Sequence, residues 1–234
     1  MDAPKVDGWW RKASQTLFAP RCLLCTEPGL SGQDLCAECR GALPWNDRAC
    51  LHCAIPLPAP GACGECLQQP PPLAETHAAF LYGFPLDRLV PRLKFHNDLA
   101  AGRLLSELMA ETFAALPRPQ ALVPVPLHAT RLRQRGYDQA LELAKPLAQA
   151  LDIPLHAEAL RRQRATAAQS ELDADARQRN LRGAFALHPG HALPEHVALV
   201  DDVMTTGATL QAAAKTLRRA GVLRVDAWVC ARVP

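Results

Sequence analysis

From residue 73 onward, apolar positions alternate between short runs and helical stripes. Residues 78–82 form an apolar run that stops at Gly83 and predicts a strand. Over 99–116, Ala101, Leu105, Leu108, Met109, Phe113 and Leu116 recur on one face of a helix. Residues 122–125 are β-like, interrupted by Pro124 and stopped by Pro126. Tyr137, Ala140, Leu141, Ala144, Leu147, Ala148 and Leu151 return to helical spacing, with Pro146 expected to kink that helix. Residues 197–200 are continuously apolar, the pattern of a strand buried on both faces. Leu210, Ala213, Ala214 and Leu217 form another helix face, closed by Gly221, and 223–229 reads as a last strand. Strands alternating with helices predict an α/β domain over 73–234, a mostly parallel sheet with flanking helices.

The region before residue 73 is patterned by cysteine instead. Eight of the nine cysteines form four Cys-x-x-Cys pairs: Cys22/Cys25, Cys36/Cys39, Cys50/Cys53 and Cys63/Cys66. Ten residues separate the first two pairs and nine the last two, which reads as two copies of one unit. Two such pairs supply the four thiolates of a tetrahedral Zn2+ site, so residues 18–68 are expected to be a double zinc ribbon. Disulfides, iron or an iron–sulfur cluster are the rival readings; a disulfide framework needs an oxidising compartment. Successive pairing makes each gap one short hairpin and is favoured over the interleaved alternative. Either pairing closes both sites, so the zinc is structural, and it supplies much of the folding energy of so small a segment. His52 lies inside a pair whose site four cysteines already fill, and is read as solvent-facing. Cys230 stands alone in a strand pattern and reads as a small buried apolar residue. Gln68-Gln-Pro-Pro-Pro72 reads as the linker between the two parts.

Composition narrows the function. At 49% hydrophobic and 21% charged the chain is that of a globular protein, which excludes collagen-like, coiled-coil and wholly disordered classes. No run approaches the ~20 apolar residues of a membrane helix, so no membrane insertion is expected. Residues 1–21 lack the apolar core of a signal peptide, and the cytoplasm is the expected compartment. Net charge is +3, too small alone to predict a polyanion partner. Residues 1–72 carry six basic and seven acidic side chains, and each zinc with four thiolates adds about −2. The cysteine module is therefore acidic and lacks the electrostatic footprint of a phosphate-backbone binder.

One segment concentrates the chemistry. The apolar run 197–200 ends in Asp201 and Asp202, followed by Thr205-Thr206-Gly207-Ala208-Thr209 and a helix. Free N–H groups at a helix start hold an anion, and Gly207 lets the backbone close round it. Thr205, Thr206 and Thr209 add hydroxyl donors. Two carboxylates beside a phosphate suit a vicinal diol, with Mg2+ nearby. A sugar with adjacent free hydroxyls and a terminal phosphate fits. The competing reading is an ordinary helix cap, which leaves the two acids unexplained. Neither a P-loop nor a Gly-x-Gly-x-x-Gly fingerprint is present.

Residues 197–209 resemble the phosphoribosyl pyrophosphate loop of type I phosphoribosyltransferases. More narrowly, the chain is similar to the ComF/GntX family of phosphoribosyltransferase-like proteins. The likeness extends to the four Cys-x-x-Cys pairs, Leu93-Lys-Phe-His96, Val123-Pro-Val-Pro-Leu-His128 with Arg135-Gly-Tyr137, Thr166-Ala-Ala-Gln169 and Arg177-Gln-Arg-Asn180. Asp138 departs from the family, which usually shows Asn there. The resemblance implies that Asp201 and Asp202 bind the ribose hydroxyls of phosphoribosyl pyrophosphate and that Thr205 to Thr209 cradle its 5′-phosphate. It implies that the turn after the first sheet strand holds pyrophosphate with bridging Mg2+, His128 and Arg131 being the candidates. Lys94 reads equally as a site residue or as part of a solvated helix face. Residues 161–182, with Arg161, Arg162, Arg164, Arg177, Arg179 and Arg182, resemble the hood over this site. With Arg131, Arg133 and Arg135 they would form a basic rim for pyrophosphate or single-stranded nucleic acid. Two classes of function follow. One is a phosphoribosyltransferase or a sensor of phosphoribosyl pyrophosphate or a related nucleotide, acting in competence and DNA uptake. The other is a non-catalytic adaptor or single-stranded-DNA-binding protein whose zinc module docks a protein of the uptake machinery, such as a helicase.

Overall fold

The computed structural model describes residues 20–164 and 183–234. In chain order these hold α1 (Ala37–Gly41), α2 (Gly64–Gln68), β1 (Thr76–Leu81), α3 (Leu86–Phe95), α4 (Leu99–Phe113), β2 (Ala121–Pro124), α5 (Ala129–Arg135), α6 (Gln139–Leu151), β3 (Leu160–Arg162), β4 (Phe185–Leu187), β5 (His196–Met204), α7 (Ala208–Arg219) and β6 (Arg224–Arg232). The basic segment beyond Arg164, with Arg177, Arg179 and Arg182, lies outside the described residues, as do 166–169, 177–180 and residues 18–19.

Four strands form one parallel sheet in the order β1-β6-β5-β2. Its central strands are apolar because both faces are covered. Ala198, Val200, Trp228 and Cys230 face one core with Leu105, Leu108 and Met109 of α4 and Leu143 and Leu147 of α6. Val197, Leu199, Val225, Ala227 and Val229 face the other, with Leu210, Ala213 and Leu217 of α7. Phe113 and Trp228 pack with ring centres 5.1 Å apart. Cys230 is fully buried in the first core, as its strand setting predicts. The helix over 139–151 runs on through Pro146.

Both cysteine hairpins are built into the sheet edge. Leu81 N donates to Pro44 O at 2.8 Å and Asn46 N to Ala79 O at 3.1 Å, so the segment around Trp45 lies antiparallel on β1. The Trp45 and Phe80 rings pack across this pairing at a tilt, with centres 4.7 Å apart. The second hairpin meets the strand's start, where Thr76 N donates to Leu51 O at 2.7 Å and Thr76 Oγ1 to His52 O at 2.9 Å. His52 is half-buried, and its Nδ1 donates to Ala74 O at 3.0 Å. It bridges to Ala74, between the linker and β1, which corrects its reading as a solvent-facing residue. Cys22, Leu35, Cys36 and Leu43 join the first core, whereas Ala54 joins the second. The two copies thus straddle the β1 edge, one per face.

A two-stranded antiparallel sheet, β3 with β4, was not anticipated by the pattern. It lies against α7, and its Arg162 pairs in parallel with His128, which brings β3 to the turn after β2.

Candidate functional site

Ligand sites in parallel α/β sheets lie beyond the carboxyl ends of strands, where neighbouring strands diverge. Here β2 leaves the sheet at Pro124, opposite Val200, while β5 continues beside β6 to Met204 opposite Arg232. Asp201 to Met204 therefore border a crevice on the β2 side, with a volume of about 520 Å³.

Asp202 is buried, 6% exposed, and its Oδ2 lies 3.2 Å from Lys94 Nζ. Gln139, the first residue of α6, donates from Nε2 to the same oxygen at 3.4 Å. Asp201 is half-buried and its Oδ1 accepts from Asp202 N at 2.8 Å. Burial, and then the adjacent Asp202 carboxylate, push the Asp201 pKa up to about 8, with Lys94 pulling the other way.

The chain then turns through Thr205 and Thr206 into α7. Gly207 is the N-cap, with φ of 76°, and offers no side chain to the first helical N–H groups. The backbone angle favours glycine here, and a Cβ would sit 2.4 Å from Met204 Cε, so that the methionine methyl would have to swing aside. Thr206 Oγ1 lies 3.5 Å from Ala208 N, a long contact. The α7 N-terminus therefore presents backbone donors and a positive dipole end to the crevice.

The opposite wall comes from the turn after β2. Asp138 fixes it: Oδ2 accepts from Leu127 N at 2.8 Å, while Oδ1 caps α6 through Ala140 N at 3.0 Å and Leu141 N at 3.3 Å. Burial raises its pKa against these three donors. All three partners are N–H groups, so a carboxylate suits this position; the amide of an Asn would turn a donor toward one of them. Arg131 and Arg135 of α5 and Arg162 of β3 line the crevice. Burial, then the nearby Arg131, lowers the Arg162 pKa, while Asp201 raises it. The Arg135 guanidinium lies 5.2 Å over the ring of Phe95, itself 65% exposed at the mouth.

Of the residues singled out in the sequence, Asp201, Asp202, Thr205, Gly207, Ala208, Thr209 and Arg131 border one crevice. Thr206 stands beside it, making only the long contact to Ala208 N. His128 is the N-cap of α5, its Nδ1 accepting from Thr130 N at 3.3 Å, and does not line the crevice. Lys94 lines it, 3.2 Å from Asp202, and is not on a solvated helix face. Arg135 and Arg162, read in the sequence as part of a basic rim, line it too, and Phe95 and Gln139 are additions. Arg162 was visible in the sequence as part of a basic segment, whereas Gln139 carried no signal at all.

The cysteines group successively: Cys22, Cys25, Cys36 and Cys39 in one cluster, Cys50, Cys53, Cys63 and Cys66 in the other, with sulfurs within 4.8 Å of one another. A tetrahedron with Zn–S of ~2.3 Å has edges of ~3.8 Å. Cys25 and Cys36 Sγ are 3.6 Å apart and Cys53 and Cys63 Sγ 3.7 Å. Backbone N–H groups support the sulfurs, Cys39 N on Cys36 at 3.4 Å and Cys63 N on Cys50 at 3.2 Å. Such second-layer donors are usual at zinc. All nine cysteines are free of disulfides. Both clusters fit zinc ribbons.

Comparison with known proteins agrees with both halves. A double zinc ribbon domain matches residues 13–67 and a phosphoribosyl transferase domain residues 138–234. The chain is 39% identical over 220 residues to the DNA utilization protein YhgH of Salmonella typhi, covering 90% of this chain and 96% of that protein. It is 36% identical over 226 residues to YhgH of Escherichia coli K12, with the same coverage of 90% and 96%. Competence protein F of Haemophilus influenzae is 36% identical over 225 residues, covering 92% of this chain and 98% of that protein. No helix among the described residues is long and apolar enough to cross a membrane. Identity at this level along nine-tenths of both chains shows that the chain belongs to the competence protein F (ComF) family, a phosphoribosyltransferase-type domain carrying a double zinc ribbon.

Proposed function

We propose that the crevice binds phosphoribosyl pyrophosphate together with Mg2+, and that the protein uses this ligand in the handling of incoming DNA. The observation that carries the reading is the meeting of two strand-end carboxylates and a glycine-capped helix start in one cation-lined crevice. In it, Asp201 and Asp202 accept from the ribose hydroxyls, and Thr205 to Thr209 hold the 5′-phosphate with backbone and hydroxyl donors. Arg131, Arg135 and Arg162, with the turn that begins at Pro126, surround the pyrophosphate. Lys94, 3.2 Å from its Oδ2, orients Asp202. Asp201 or Asp202, with the pyrophosphate oxygens, would hold Mg2+, which would supply neutralisation of the pyrophosphate charge. In a transfer reaction the C1–O bond to pyrophosphate breaks as a nucleophile bonds C1, and these cations stabilise the departing anion. The names of the relatives, competence protein F and DNA utilization protein, support the DNA context.

Calorimetric titration of phosphoribosyl pyrophosphate with Mg2+ into the zinc-loaded protein tests this. Saturable binding that Asp201→Asn weakens at least tenfold is the expected result. A folded wild-type protein that binds nothing would remove the ligand assignment.

A second reading has its own observation: Arg131, Arg133 and Arg135 on α5 stand beside the exposed Phe95 and Leu132. Cations interleaved with an aromatic ring suit single-stranded DNA, with the zinc ribbons docking a protein partner. Steep loss of DNA binding with salt would support it, and salt-independent binding would exclude a backbone contact.

A further inference from the structure

Arg232 ends β6 and is only 9% exposed. Its guanidinium meets carbonyls: Nε donates to Cys53 O at 2.8 Å, and Nη1 to Met204 O at 3.5 Å and to Val233 O. Burying a cation is costly unless its donors are used, and no ion pair of Arg232 is present among the described residues. What the fork does is join two places that the chain otherwise keeps apart. Cys53 is a thiol of the second cysteine cluster. Met204 ends β5, and its thioether fills the space that a Cβ on Gly207 would need. Val233 N also donates to Met204 O, at 2.9 Å, so this carbonyl is held twice from the same stretch of chain.

We infer that Arg232 couples metal occupancy of the second cysteine cluster to the shape of the loop that opens α7. Metal on Cys50, Cys53, Cys63 and Cys66 fixes the Cys53 carbonyl. The planar guanidinium carries that position to Met204, from which residues 205–207 depart. Arg232 is a positioning residue and does not line the crevice. The first cluster is tied elsewhere, to α3, by Arg92 Nη1 donating to Leu23 O at 2.6 Å, and serves as an internal control. The coupling is a property of the chain itself; only its effect on ligand affinity rests on the function proposed above.

Hydrogen–deuterium exchange of amides 204–210 in the full zinc-loaded chain tests the coupling directly. Arg232→Met and Cys66→Ser should each speed this exchange severalfold. The double variant should exceed the larger single effect little, and Cys25→Ser, which bears on the site only through α3, should disturb the loop less than Cys66→Ser. Unaltered loop exchange in a folded Arg232→Met protein, or effects of the two variants that multiply, would overturn the inference. If Cys66→Ser fails to fold, metal release replaces it. A chromophoric chelator should draw zinc from one of the two clusters severalfold faster in Arg232→Met than in wild type. Equal release would count against the coupling. Titration of ribose 5-phosphate then separates the two proposals. Wild-type binding that Arg232→Met weakens supports both. Absence of wild-type binding removes the ligand reading, and the exchange result alone decides the coupling.

Discussion

Asp202 is held by Lys94 and Gln139, whereas its neighbour Asp201 accepts from the Asp202 N–H. Burial and the Asp202 charge favour the protonated form of Asp201 and raise its pKa to about 8. The sign follows from linkage. A carboxyl with a folded pKa above its unfolded value stabilises the fold fully below about 3.8, and that contribution is lost as pH rises toward about 8. Asp201→Asn should therefore stabilise the protein, and urea unfolding should show a larger gain near pH 8 than near pH 5.5. A gain that shrinks with pH would contradict the burial account. Gly207 predicts the opposite sign. Gly207→Ala places a side chain at positive φ and against Met204, and should cost about 1–3 kcal/mol in thermal or urea unfolding. The two acids and the glycine announce themselves in the sequence because they follow directly on an apolar run. Lys94 and Gln139 do not, because they reach Asp202 from helices far away along the chain.

At the scale of elements, α4 owes its start to Asp98, whose Oδ1 accepts from Ala101 N at 3.0 Å while Oδ2 pairs with Arg92 at 2.6 Å. Burial raises the Asp98 pKa, but the Ala101 amide and Arg92 outweigh it and the net shift is downward. Its stabilisation is then complete above about 3.8 and lost only as pH falls through the lower folded value. Asp98→Ala should cost about 1–2 kcal/mol in urea unfolding, a penalty that stays flat between about pH 5 and 8. Long elements with a strong period, such as α4, α6 and β5, follow from the sequence pattern alone. The β3–β4 pair does not. Each strand has three residues, too few to show a period, and they meet across a long excursion of the chain. Arg162 is legible as one of a run of arginines, but its place on the crevice wall depends on this pairing.

The whole molecule joins its halves more closely than the proline-rich linker suggests. Cysteine spacing reveals the metal clusters because four thiolates must reach one centre, but it carries no information about which core each hairpin joins. Because one hairpin enters each core, metal removal should lower the stability of the entire chain and not of an appended module. Calorimetry of the zinc-loaded protein should show a single transition, moved to lower temperature by chelation. Two separate transitions, with only the smaller one sensitive to chelator, would mean that the halves fold independently. The Trp45 segment on β1 has a consequence for the protein in a zinc-poor cell. It seals a parallel sheet whose outermost strand, Thr76–Leu81, is apolar at four of its six positions. When the hairpin loosens, the bare main-chain donors and acceptors of that strand become a template for neighbouring chains. Zinc shortage would then be felt as self-association, a loss of solubility that precedes any loss of the fold.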